Sequence, residues 1–262
     1  MEQTSTSFEW ANLLNEAVTK PGLILSAYSR FWRYSCGNQI LALVQCHMRG
    51  IEPGPIATFP KWKELGRHVL KGEKAITLCM PITHKFVEKD IETGEQVERT
   101  WQTFTYKPHW FVISQTEGAA VQPESIPTWS KEHALGVLNV EQVEFRALDG
   151  NTQGYALGRT FAINPVAAMP IKTTFHELAH IVLGHTTESE LTDSDAPPRS
   201  LREAEAESVA LICLESLGLD GVEFCRGYIQ NWLNGAAIPE RSAQKIFHAA
   251  DQILKAGYSE KE

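Results

Sequence analysis

The run His176-Glu177-Leu178-Ala179-His180 carries the residue types that hold a divalent metal ion and use it. At about 100° per residue on a helix, His176 and His180 project about 40° apart, so both imidazoles can reach one ion. Glu177 projects about 100° from His176, beside the histidines, which suits the general base of a metal-assisted hydrolysis. Phe175, Ala179, Val182 and Leu183 take the opposite side and predict an apolar face packed on a core. A competing reading makes Thr174-x-x-Glu177 a capping box, in which the acid only satisfies a backbone N–H.

A catalytic zinc site uses three protein ligands and keeps one position open. Candidates for the third lie in Arg202-Glu-Ala-Glu-Ala-Glu-Ser-Val-Ala210. Relative to the apolar face of that helix, Glu203 projects about 50° from the core direction, Glu207 about 90° and Glu205 about 110°. A carboxylate turned inward needs a partner, so Glu203 is the expected ligand, with Glu205 and Glu207 as alternatives. Glu207, one turn on, would accept the free ring N–H of a ligand histidine. A solvated acidic face is the bland reading of all three. His185 reads first as a cation at a helix C-terminus and second as a residue folded back towards the metal. Tyr155, Arg159 and His185 are candidates for stabilising charge on an attacked carbonyl. The strand Gly158–Asn164 offers either an open edge for an extended peptide or a buried strand. Leu183 and Thr186 depart from the longer metzincin pattern, and the lack of Pro-Cys-x-x-Cys excludes a zinc deaminase.

These residues need a scaffold, and 262 residues suffice for one large or two small domains. Hydrophobic residues at 43% and charged residues at 21% describe a globular chain rather than a disordered one. The longest apolar run, Val209 to Leu214, is far shorter than the roughly 20 residues of a membrane span. The first residues lack a basic start and an apolar core, which predicts no secretory signal. Five cysteines without a CxxC pair predict a reducing, cytoplasmic setting. Apolar spacing predicts helices over 7–19, 24–48, 61–69, 131–138, 173–183, 201–217, 222–233 and 242–255. Strands are expected over 74–79, 101–112, 143–148 and 160–164, with an exposed hairpin tip over 88–99, a linker over 114–130 and an acidic loop over 186–200. The class is α+β.

Charge divides the chain. Residues 20–85 hold ten Lys/Arg against three acids, whereas residues 126–262 hold eleven against nineteen. In the basic segment, aromatics alternate with cations: Tyr28, Arg30, Phe31, Trp32, Arg33, Tyr34, then Phe59, Lys61, Trp62, Lys63, Arg67, Lys71 and Lys74. Cations along phosphates and aromatic faces under bases are the tools of single-strand binding; packing into a core is the alternative use of the aromatics.

The stretch Tyr34-Ser-x-x-Asn38-Gln, Phe59-x-x-Trp62-x-x-Leu65-Gly-Arg67-x-Val69-x-Lys71-Gly-Glu-Lys74-Ala-Ile76 and Pro81 resembles the amino-terminal domain of the ArdC antirestriction family, and Ser114-Gln-Thr-Glu-Gly118 is similar to it as well. Lys172-Thr-Thr-Phe-His-Glu-Leu-Ala-His180 with Gly184-His185 resembles that family's metallopeptidase domain and ImmA/IrrE-type peptidases. The resemblance implies a small α+β domain over 1–122 that binds single-stranded DNA, then a zincin-like (gluzincin) α+β domain over 123–262. It implies one catalytic Zn2+ on His176, His180 and Glu203, with Glu177 as general base and Glu207 behind a ligand. The expected DNA contacts are Trp32, Arg33, Asn38, Trp62, Arg67, Lys71 and Lys74. The implied role is protection of incoming plasmid or phage DNA from restriction, with an unidentified protein substrate, expected among proteins bound to that DNA, and no membrane partner. Two alternatives stand beside it: a regulatory peptidase that cleaves a repressor, and a non-catalytic DNA-binding protector with a structural zinc.

Overall fold

The computed structural model describes residues 8–89, 96–122, 125–146, 151–187 and 198–258. In chain order these form α1 (Trp10–Thr19), α2 (Leu23–Phe31), α3 (Cys36–Arg49), β1 (Ile56–Thr58), α4 (Phe59–Glu64), β2 (Arg67–Val69), β3 (Ile76–Lys89), β4 (Gln96–Val112) and β5 (Thr116–Gly118). There follow α5 (Lys131–Leu138), β6 (Glu141–Gln142), β7 (Gly154–Leu157), β8 (Thr160–Ile163), α6 (Pro170–Val182), α7 (Arg199–Ser216), α8 (Val222–Leu233) and α9 (Glu240–Ala256). The α+β class is as expected. The hairpin tip around Thr93-Gly94, Ala147 and Leu148 of the expected strand, and most of the acidic loop lie outside the described residues.

The chain divides into two compact units, residues 1–40 with 124–262, and residues 41–123. The expected division lies at 122/123. The first 40 residues, expected in the amino-terminal domain, cluster instead with the carboxy-terminal half, and α3 crosses the division. Two carboxylates explain that clustering. Glu240, at the start of α9, accepts from the backbone N–H groups of Trp10 (3.0 Å) and Ala11 (2.8 Å), which open α1. Glu215 on α7 accepts from the Ile24 N–H (3.2 Å) at the start of α2 and pairs with buried Arg226 of α8. Arg226 also donates to the Ala17 and Val18 carbonyls at the end of α1. Neither α1 nor α2 has a side-chain cap of its own, so distant acids satisfy the orphan donors of both.

Helix α7 is the axis of the larger unit. It packs against α2, α6, α8 and α9, and every residue from Ala204 to Ser216 is buried. A helix buried all round has no solvent face, so each acid it carries must find a partner inside. A three-stranded sheet of order β6-β8-β7 lies on α6 through β7 and β8. β8 is the middle strand, parallel to β6 and antiparallel to β7. The open-edge reading of Gly158–Asn164 is therefore corrected: β8 is paired on both sides, and β7 is an outer strand.

The smaller unit holds a sheet of order β1-β4-β3 and the two-stranded β2-β5. The β3–β4 ribbon pairs Ile76 with Trp110 at one end and Lys89 with Gln96 at the other. Gln45 extends the sheet: its amide accepts from the Thr77 N–H (2.9 Å) and donates to the Thr77 carbonyl (2.7 Å). The expected helix over 61–69 stops at Glu64, because Gly66 turns the chain at φ +71° and Arg67–Val69 pair with β5 instead. The expected linker over 114–130 likewise contains β5.

Candidate metal centre

Helix α6 begins at Pro170, where the missing N–H costs nothing. The Thr174 hydroxyl donates back to the Pro170 carbonyl (2.9 Å) inside the helix. Thr174 is thus not a cap, and the capping-box reading of Glu177 falls. Phe175, Leu178 and Ala179 are buried, while His176 and His180 turn towards α7.

Three donor atoms converge there. His176 Nε2 and His180 Nε2 are 3.1 Å apart, and Glu203 Oε2 lies 3.4 Å from the first and 3.5 Å from the second. Among the described residues this is the one cluster of three suitable side chains whose ligand atoms lie within 4.8 Å of one another. A triangle with those sides has its vertices about 1.9 Å from its centre, close to the 2.0–2.2 Å of zinc–imidazole and zinc–carboxylate bonds. Two imidazole nitrogens and one carboxylate oxygen, half-buried, are a donor set that fits a divalent cation.

The other two acids of α7 stand behind the histidines. Glu207 Oε1 is 3.3 Å from His176 Nδ1 and 2.6 Å from Lys172 Nζ. Glu205, 1% exposed, places Oε2 3.0 Å from His185 Nε2. His185 reaches this position because Gly184, at φ +78°, closes α6 with paired bonds from the Gly184 N–H to the Ile181 carbonyl and the His185 N–H to the His180 carbonyl. His185 Nδ1 then lies 3.0 Å from His180 Nδ1. The second reading of His185, folding back, is the observed one, though it meets a histidine rather than the cluster itself. Sequence reasoning did not find this contact; Gly184 was the only local signal for it.

Electrostatics follow burial and pairing. Burial pushes the Glu177 carboxyl up to about 7, with His176 pulling the other way. Hydrogen bonds from His176 and His180 hold Glu203 well below the usual carboxylate range. Burial works against charge on His176, but Glu203 and Glu207 outweigh it and raise the ring to about 9. Burial also works against charge on Glu205 and Glu207, and their histidine partners overcome it, so both sit below the usual range.

The candidates for stabilising a carbonyl oxygen fare differently. Arg159 is spent on the Asn139 and Leu138 carbonyls at the end of α5, and His185 on Glu205 and His180. Tyr155 packs on Phe145, ring centroids 5.6 Å apart.

The expected DNA contacts are divided between the two units. Trp32, Arg33 and Asn38 fall in the larger unit, with the Arg33 guanidinium 5.3 Å from the Trp32 ring centre. Trp62, Arg67, Lys71 and Lys74 fall in the smaller. Trp62 is 1% exposed and donates to the Phe111 carbonyl (2.9 Å), so it is a core residue and the base-stacking assignment is corrected. Arg67 donates to Thr116 Oγ1 (2.8 Å) and to the Thr116 (2.8 Å) and Ala119 (2.6 Å) carbonyls, which makes it a strut between β2 and β5. Lys71 and Lys74 are exposed. Of the basic segment's aromatics, Phe59 on α4 is 54% exposed, and the β3–β4 ribbon adds Phe86, Trp101 and Phe104 at 42%, 52% and 70%, with His84 stacked on Trp101 at 4.4 Å. Strand alternation around Lys85 was the signal that could have found the ribbon aromatics.

Residues 5–109 match the family described as the N-terminal domain of anti-restriction factor ArdC. No curated protein sequence matches the chain. The crystal structure of the metal-free antirestriction ArdC protein from the R388 plasmid is similar, with a TM-score of 0.50 and 18% identity over 95% of this chain and 94% of that one. Its Mn(II)-bound structure gives a TM-score of 0.51 and 17% identity over 95% of this chain and 97% of that one. Residues 5–109 therefore carry the amino-terminal domain of the ArdC antirestriction family, and nearly the whole length of the chain shares the fold of an ArdC protein.

Proposed function

We propose that this chain is a single-stranded DNA-binding metallopeptidase that protects incoming plasmid or phage DNA from restriction. The observation that carries the reading is the convergence of His176 Nε2, His180 Nε2 and Glu203 Oε2 beside the buried carboxylate of Glu177. The donor chemistry favours zinc, and the Mn(II)-bound relative supports a divalent metal in this fold. Such an ion supplies Lewis acidity, lowering the pKa of water and polarising a carbonyl.

The protein's own groups do the rest. Glu203 brings negative charge to the two imidazoles, and Glu207, balanced by Lys172 and 3.3 Å from His176 Nδ1, favours a proton on that nitrogen and so leaves the Nε2 lone pair free. Glu177 is buried beside them, accepts a proton from the attacking water at a carboxylate oxygen and returns it to the leaving amine. The exposed aromatics of the β3–β4 ribbon, with Lys71, Lys74 and Lys85, suit contact with bases and phosphates without sequence readout.

The test is digestion of an unstructured protein such as casein by zinc- or manganese-loaded protein, with and without single-stranded DNA. The wild type is expected to cleave, and Glu177→Gln to bind metal and DNA without cleaving. Equal absence of cleavage in both, with restriction protection retained by Glu177→Gln, would overturn the peptidase half and leave a DNA-binding protector.

A further inference from the structure

His180 and His176 meet the metal cluster through the same ring atom, but their outer nitrogens are held differently. His176 Nδ1 faces Glu207 directly, at 3.3 Å from Oε1. Among the described residues no carboxylate faces His180 Nδ1; it faces His185 Nδ1 at 3.0 Å, and His185 Nε2 faces Glu205 Oε2 at 3.0 Å. Glu205 is 1% exposed on a helix with no solvent side, and a carboxylate so placed must be paired.

We propose that Glu205 and His185 are positioning residues that fix the tautomer and ring orientation of His180, so that its Nε2 lone pair faces the metal. The inference rests on the metal-centre reading above. The proton order follows from the distances. Ionised Glu205 accepts only, so His185 donates to it from Nε2–H. A neutral His185 then offers a lone pair at Nδ1. His180 donates its Nδ1–H to that lone pair and keeps Nε2 unprotonated, the form a metal takes. Each ligand histidine is thus backed by a buried carboxylate of α7, one directly and one through an intervening imidazole. The geometry also gives the Gly184 turn a purpose beyond ending α6, since the paired bonds that close the helix bring His185 under His180. The alternating acids of α7 then divide the work: Glu203 faces the cluster, and Glu205 and Glu207 each support one of the other two donors.

The experiment is Zn(II) titration of the full chain against a competing chromophoric chelator, for wild type, His185→Ala, His185→Asn, Glu205→Gln and His185→Ala/Glu205→Gln. Circular dichroism of the metal-free proteins provides a check on folding. Loss of such outer support typically weakens metal affinity 10- to 100-fold. The expected result is a loss of that size for His185→Ala, a smaller loss for His185→Asn, whose amide can both accept and donate, and a double variant no weaker than His185→Ala because the two residues act in series. Nitrogen-15 spectra of the zinc-loaded wild type should show His180 protonated at Nδ1 and His185 at Nε2. Folded His185→Ala and His185→Asn proteins with wild-type affinity would overturn the inference while leaving the centre intact. A wild type that binds no zinc would overturn the metal centre, and the inference with it. Should His185→Ala fail to fold, the His185→Asn affinity and the tautomer spectrum decide.

Discussion

Gly154 and Glu177 stand so close that no side chain fits between them. A β-carbon built on Gly154 would lie 3.1 Å from Glu177 Oε1, 2.7 Å from Thr173 Cγ2 and 3.0 Å from the Ala162 carbonyl. The outer strand β7 thus runs its backbone directly past the carboxylate assigned as the general base. Gly154→Ala should overpack this contact, lowering stability by about 1–3 kcal/mol and displacing Glu177. Thermal melting and casein cleavage measured together check this; a variant with wild-type melting temperature and cleavage would show that the strand tolerates the methyl group.

The Lys172–Glu207 pair behaves as a buried ion pair, both side chains being 12% exposed or less. Removing one partner of such a pair leaves an uncompensated charge at a cost of about 3–5 kcal/mol. Lys172→Met should therefore melt well below the wild type. Glu207→Gln, which leaves the lysine as the unpaired member, should in addition weaken zinc binding by tenfold or more, read in a chelator competition.

Trp62 and the exposed lysines separate packing from binding. Trp62→Ala should cost about 3–5 kcal/mol of stability, as expected for a fully buried aromatic. Lys71→Ala and Lys74→Ala should leave melting unchanged, weaken single-stranded DNA binding regardless of sequence and flatten its salt dependence by about 0.7 per lost phosphate contact. Trp101→Ala and Phe104→Ala should each cost about 1–3 kcal/mol of binding if bases stack there. Fluorescence anisotropy at two salt concentrations measures all four.

Alkaline pH should weaken the fold through Cys46. Burial raises this thiol from its usual 9 to about 11. The unfolded chain therefore loses the proton first, so stability is steady below about pH 9 and falls as pH rises towards 11, by up to about 2–3 kcal/mol. Melting temperatures at pH 8 and 10 should differ less in Cys46→Ala than in the wild type.

The residues of α6 were legible because their geometry is local: two histidines four apart share a face on any helix. The inward turn of Glu203 was legible for the same reason. Glu205 was not. A helical wheel treats the side away from the apolar stripe as wet, and α7 has no wet side from Ala204 to Ser216, so the acid that projected farthest outward is among the most buried. Trp62 misled in the opposite direction, since an aromatic between lysines reads the same whether it stacks on a base or fills a core. The pairing of β2 with β5 and the attachment of α1 and α2 through Glu240, Glu215 and Arg226 join residues far apart in the chain, and no local pattern announces them. The break between α2 and α3 at Trp32–Ser35 carries neither Gly nor Pro and left no trace in the apolar spacing.

Anomalous diffraction from crystals soaked in Zn(II) would show whether His176, His180 and Glu203 together hold one divalent ion. A single strong peak is expected within bonding distance of His176 Nε2, His180 Nε2 and Glu203 Oε2, with Glu205 still on His185 and Glu207 still on His176. A peak ligated by Glu205 or Glu207 in place of Glu203, or no peak between α6 and α7, would contradict it.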